Sequence, residues 1–154
     1  MNVYLDNAAT TPLDPRVFEA MKPFMLEKFC NPSSIHSHGR EVRSSIEKAR
    51  KKVADLMGAS PAEIFFTSGG TEADNTVLRL SSKIYGLEHA ISSPIEHHAV
   101  IHTLEDMERA GSIKLHRVKL DAQGHVDYKH LASLLEKYPG ALVSLMHGNN
   151  EIGN

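Results

Sequence analysis

The stretch IFFTSGGTEADNTVLRL (residues 64–80) decides the fold class. Its first four residues are a short apolar run of strand type. Ser68-Gly69-Gly70 breaks that run, and Thr71 opens a helix carrying Ala73, Val77, Leu78 and Leu80. A strand that feeds a helix through a glycine turn is half of a crossover unit. The pattern repeats downstream. Residues 90–93 are a second strand, followed by a helix from about His97 with Val100, Leu104 and Met107 that ends near Gly111. Residues 113–120 are a third strand and 121–124 a turn. Asp127 then caps a helix with Leu131, Leu134 and Leu135, stopped by Pro139-Gly140. Residues 141–146 are a fourth strand, and 147–154 are its polar exit. Strands alternating with helices imply an α/β fold: a three-layer structure around a mostly parallel sheet.

Upstream, residues 3–5 form a short apolar stretch, read as a strand or an arm, within an N-terminal segment of residues 1–13; residues 14–154 then form the domain. Asp14-Pro15 opens a helix whose apolar face is Val17, Phe18, Met21, Met25 and Phe29, with Pro23 predicting a kink or a break. Residues 30–39 are rich in turn formers and read as a loop. Val42, Ile46, Ala49, Val53 and Leu56 make one helical stripe that ends at Gly58. Ser60-Pro-Ala-Glu63 has the spacing of a capping box.

Composition narrows the function. The 154 residues are 41% hydrophobic and 23% charged, ordinary for a globular domain. A net charge of −2 gives no electrostatic footprint for nucleic acid. No apolar run approaches the roughly 18 residues of a membrane-spanning helix, so no membrane partner is expected. The N-terminus lacks the basic and apolar regions of a signal peptide. The single cysteine, Cys30, cannot form an intramolecular disulfide, which points to a reducing compartment and a cytoplasmic location.

In open α/β sheets, ligands sit outside the carboxyl ends of the strands. Three segments lie there: 68–71, 94–98 and 147–151. At the first, Gly69 and Gly70 let backbone amides approach an anion closely, the helix start adds partial positive charge, and Thr71 adds a hydroxyl. The lysine of a P-loop is missing, as is the dinucleotide fingerprint. A tight turn with no ligand fits the pattern equally well. At the second, His97 could stack on a planar cofactor or move protons; a surface or capping histidine is the plainer reading. His98 and His102 are four apart, but no third ligand is evident and no metal is expected. At the third, the Asn149-Asn150 pair offers neutral amide donors, or simply makes a turn.

Five blocks in order carry a resemblance: YLDNAATTP (4–12), NPSSIHSHG (31–39), FTSGGTEADN (66–75), EHHAV (96–100) and VSLMHGNNEIG (143–153). Together they resemble the cysteine desulfurases of iron–sulfur cluster assembly, pyridoxal 5'-phosphate (PLP) enzymes of the class V aminotransferase group. The resemblance implies that residues 14–154 are the N-terminal part of the PLP-binding large domain of a fold-type I enzyme, which works as a homodimer. It implies that Gly70 and Thr71 hold the cofactor phosphate and that His97 stacks on the pyridine ring and assists proton transfers as a catalytic residue. It implies that Asn150 bonds the phenolic oxygen and lies near the substrate carboxylate. The implied substrate is L-cysteine, converted to L-alanine with the sulfur kept as an enzyme persulfide for an acceptor or scaffold protein.

The family also uses a lysine that anchors the cofactor, an Asp at the pyridine nitrogen, an Arg for the substrate carboxylate and a sulfur-accepting cysteine. All four lie beyond its Asn-Asn-Glu-Ile-Gly block, and Cys30 does not match the last of them. The resemblance is therefore to the N-terminal part of a desulfurase, inactive without a complementary C-terminal chain or segment. Other readings are a selenocysteine lyase or aminotransferase of the same group, or a non-catalytic binding module.

Overall fold

The computed structural model describes residues 2–153. It divides into two compact units, Met1–Phe66 and Thr67–Asn154.

In the first unit, α1 (Pro15–Leu26) starts where Asp14 accepts a hydrogen bond from the Arg16 amide at 2.8 Å. Pro23 does not break it. The proline sits in the last turn, where its missing N–H removes a single bond, and its carbonyl accepts from the Glu27 and Lys28 amides as the helix ends. Phe29 therefore lies outside α1. The segment read as a loop is shorter than expected, because α2 (Ser37–Met57) already begins at Ser37. Its N-cap is His36, whose Nδ1 accepts from the Gly39 amide at 3.3 Å. Gly39 is tightly packed: a Cβ there would meet the Ser34 carbonyl oxygen at 2.5 Å. Gly58, at φ 66°, ends α2 in the left-handed conformation that glycine adopts without penalty. The capping box at Ser60 and Glu63 forms around a single 3₁₀ turn, Pro61–Glu63.

The strand predicted over 64–67 does not form, and residues 3–5, read as a strand or an arm, are not a strand. Residues 3–5 and 64–67 carry no strand hydrogen bonds. A strand exists only through a neighbour, and no described segment pairs with either. Phe65 and Phe66 are exposed as a result.

The second unit is layered. Strands β1 (His89–Ser92), β2 (Lys114–Arg117) and β3 (Leu142–Ser144) form a parallel sheet in the order β2-β1-β3. The strand expected over 113–120 is cut to four residues; beyond it Leu120 bridges Val126 antiparallel across the Asp121 turn. Three helices connect or precede the strands: α3 (Gly70–Tyr85), α4 (His98–Arg109) and α5 (Tyr128–Lys137). From β1 the chain crosses to one side through α4, then passes back over β1 to the other side through α5. Right-handed crossovers place those two helices on opposite faces. The side chains agree. Ala90, Leu115 and Leu142 face the core built with Leu78 of α3 and Val100, Leu104 and Met107 of α4. On the other face, the Tyr138 ring that ends α5 stacks on His116 of β2 at 3.9 Å and touches His89 of β1.

Candidate functional site

At the carboxyl ends of the strands, α3 and α4 bring their first turns together. The helix ends differ in one respect. The side chains of Asp14, His36, His97 and Asp127 cap the other four α-helices, whereas Gly69, the N-cap of α3, has no side chain to do so. The first-turn amides of α3 thus lack the side-chain acceptor that such groups ordinarily find. The turn itself is shaped by Glu72, whose carboxylate accepts from the Ser68 hydroxyl at 2.6 Å and the Ser68 amide at 2.7 Å. Those two bonds hold the Glu72 carboxyl below its usual range, the hydroxyl contributing most. Nothing lies within 4 Å of a Cβ built on Gly69 or Gly70, so the backbone is open on that side.

Across from this helix start stands His97. Its Nδ1 accepts from the Ala99 amide at 3.1 Å and caps α4, which is the plainer role that the sequence allowed. An accepting Nδ1 puts the proton of the neutral ring on Nε2. The ring is exposed but fixed at its base.

Thr71 and His97 line one open cleft of about 330 Å³, together with Asn75, His98, His102 and Asp106. Asn75, not singled out by the sequence, ties the two helices. Its Nδ2 donates to the Thr71 carbonyl at 2.8 Å, and its Oδ1 accepts from the Thr103 hydroxyl at 2.7 Å. His98 Nδ1 and His102 Nε2 lie 3.3 Å apart in the cleft wall. Among the described residues no group of three or more metal-type side chains converges.

Asn150 is not among the residues lining this cleft. It lies in the exit of β3, exposed, with its Nδ2 donating to Glu151 at 3.0 Å. The two asparagines have separate tasks. Asn149 is buried: its Nδ2 donates to the Ile95 carbonyl at 2.9 Å, and its Oδ1 accepts from the Glu151 and Ile152 amides. Asn150 keeps its amide outside the backbone network. Gly70 contributes its backbone at the α3 start.

Residues 3–154 match the family described as aminotransferase class-V. The chain belongs to that family. It is 49% identical to the cysteine desulfurase IscS of Dictyoglomus turgidum, an alignment covering 98% of this chain and 38% of that protein. It is 46% identical to a putative cysteine desulfurase of Bacillus subtilis, over 98% of this chain and 40% of the other. Among solved structures, a NifS-like protein superposes with a TM-score of 0.91 at 42% identity, covering 98% of this chain and 42% of that one. A structure described as SspA in complex with cysteine superposes at 0.84, with 32% identity over 94% of this chain and 42% of the other. The chain thus spans about two-fifths of the length of the proteins it matches. The mixed α/β unit with its parallel sheet is that of these fold-type I enzymes.

The residues present suit PLP. A phosphate dianion needs outward amides at a helix start and a hydroxyl, as at Gly70 and Thr71. A pyridine ring needs a flat partner, as at His97. A phenolate oxygen needs a neutral donor not already committed to the backbone, as at Asn150.

Proposed function

We propose that this chain is the N-terminal portion of a PLP-dependent cysteine desulfurase. The complete enzyme releases L-alanine from L-cysteine and retains the sulfur as a persulfide for iron–sulfur cluster or thio-cofactor assembly. The C–S bond of the substrate breaks, and the sulfur passes to a cysteine thiol of the enzyme, which becomes a persulfide. The observation that carries this reading is the pairing of the uncapped α3 start with His97 across one cleft, in a chain whose similar proteins are desulfurases. That a similar structure is described as SspA in complex with cysteine supports the choice of substrate.

PLP, when bound, supplies the electron sink for bond-breaking at the amino acid. This chain's residues bind and orient it. The Gly70 and Thr71 amides and the Thr71 hydroxyl hold the phosphate. His97 stacks on the ring and, while it caps α4, is a hydrogen-bond donor at Nε2. It gains a proton only at Nδ1, where it must first release the Ala99 amide. Asn150 donates to the phenolic oxygen and meets the substrate carboxylate. The anchoring lysine and the sulfur-accepting cysteine belong to the complementary part, and the working form is a cytoplasmic homodimer.

The test uses the full-length protein. Thr71→Ala removes a hydrogen bond to a charged group, about 1.5–3 kcal/mol, so PLP affinity falls roughly tenfold to hundredfold. Equilibrium titration by absorbance reads this, and unchanged affinity overturns the phosphate assignment. With L-cysteine and a thiol reductant, alanine and sulfide should appear in equal amounts; cysteine left unconsumed overturns the reaction.

A further inference from the structure

Glu96 is a carboxylate with only 8% of its surface exposed, at the exit of the central strand. A charged group so placed is costly unless hydrogen-bonded. Its Oε1 accepts from the Ser93 hydroxyl at 2.9 Å and from the Met146 amide at 2.8 Å. The first bond closes its own turn, and the second reaches across to the exit of β3. A return bond runs the other way, from Asn149 Nδ2 to the Ile95 carbonyl at 2.9 Å. The two loops are therefore stitched from both sides. In each, the stitching residue directly precedes an exposed one: Glu96 precedes His97, and Asn149 precedes Asn150.

We propose that Glu96 is a positioning residue that fixes the separation between His97 and Asn150. The proposal rests on the cofactor site proposed above. Pinning the Glu96 side chain inward turns the next residue outward, and holding the Met146 amide sets where the β3 exit starts its turn. Small misplacements of groups that grip a reacting molecule are costly in rate and affinity. Glu96 itself needs no contact with the cofactor.

The test compares Glu96→Ala with Glu96→Gln in the full-length protein. Gln keeps an acceptor oxygen; Ala keeps none. In the cofactor-free protein, Glu96→Ala should speed hydrogen exchange of residues 146–152 at least about tenfold, while residues of α4 near Leu104 stay as in the wild type. PLP affinity should fall roughly tenfold to hundredfold, with a shifted absorption maximum of the bound cofactor, as expected for loss of a bond to a charged acceptor. Glu96→Gln should return all three readouts toward wild type. Should Glu96→Ala not fold, Ser93→Ala, which keeps the carboxylate, should give a smaller acceleration over the same residues. Unaltered exchange at 146–152 overturns the proposal. So does faster exchange combined with wild-type affinity and spectrum, provided that Thr71→Ala weakens PLP binding. If Thr71→Ala also has no effect, the cofactor site is what has failed.

Discussion

Among the described residues of the first unit, only Gly39 and Ala54 are buried, although its helices carry apolar stripes as regular as any in the second. On α1, Val17, Met21, Phe24 and Met25 line an open groove and remain 42–62% exposed. On α2, Val42, Ile46 and Val53 are half-buried while Ala49 and Leu56 are exposed. In the second unit, the stripe of α4 closes on a sheet, and Leu104 of α4 and Ile91 of β1 have no exposed surface, whereas of the α3 stripe Leu78 is buried and Val77 and Leu80 stay exposed. Amphipathicity states which face is to be covered. It does not supply the cover. The second unit holds a parallel sheet against which α4 packs, with Leu78 of α3 joining the same core, and the described residues of the first hold none.

Substitutions can break or sharpen this contrast. The largest effect is expected at Leu104, where truncation to Ala leaves a cavity in packed surroundings and costs about 2–5 kcal/mol. Phe24→Ala, on the half-exposed face of α1, should cost well under half as much when both are measured by denaturant unfolding of this chain. Equal losses would mean that α1 is as well covered as α4.

Next come two glycines. Gly39→Ala would press a Cβ against backbone oxygens of Ser34 and Asn31, at 2.5 and 2.8 Å, and should destabilise by about 1–3 kcal/mol. Gly70→Ala meets nothing within 4 Å and lies at a helix start, so its effect on stability should stay within about 1 kcal/mol. Thermal unfolding of the two variants reads the difference. A large loss at Gly70 would show that its open side is filled.

The smallest effect is a pH dependence confined to the second unit. Burial, followed by the neighbouring His89 and Lys137, holds the His116 imidazole below its ordinary value. The unfolded chain then takes up a proton before the folded one does. The stability from the neutral, stacked ring is complete above the ordinary histidine range and is lost as pH falls through the lowered value. Melting temperatures from pH 8 to pH 5 should decline, and His116→Phe should flatten the decline. An unchanged slope would remove His116 as its source.

What the sequence disclosed and what it hid follow from range. Asp14, Ser60 with Glu63, and Asp127 announce their helix starts because each acts on amides two or three residues away. The open α3 start was legible for the same reason: Gly69 and Gly70 have no side chain to close it. Histidine caps are harder to read, because the ring accepts only through an unprotonated nitrogen; the turn formers around His36 spell a loop, and its cap shows only in the structure. The strand over 64–67 had the right residues but no neighbour, and pairing is not a property of a single segment. The roles of Asn75 and Glu96 are not written locally, because their partners lie 28 and 50 residues away and no local pattern marks a bond of that span.

The order β2-β1-β3 has a consequence for how the molecule is made. The middle strand leaves the ribosome first and both flanks follow. Glu96 therefore emerges with its carboxylate wet and waits for an amide 50 residues behind it. Until β3 arrives, the nascent chain keeps one edge of its central strand bare, with the N–H and C=O groups of that edge bonded to water alone.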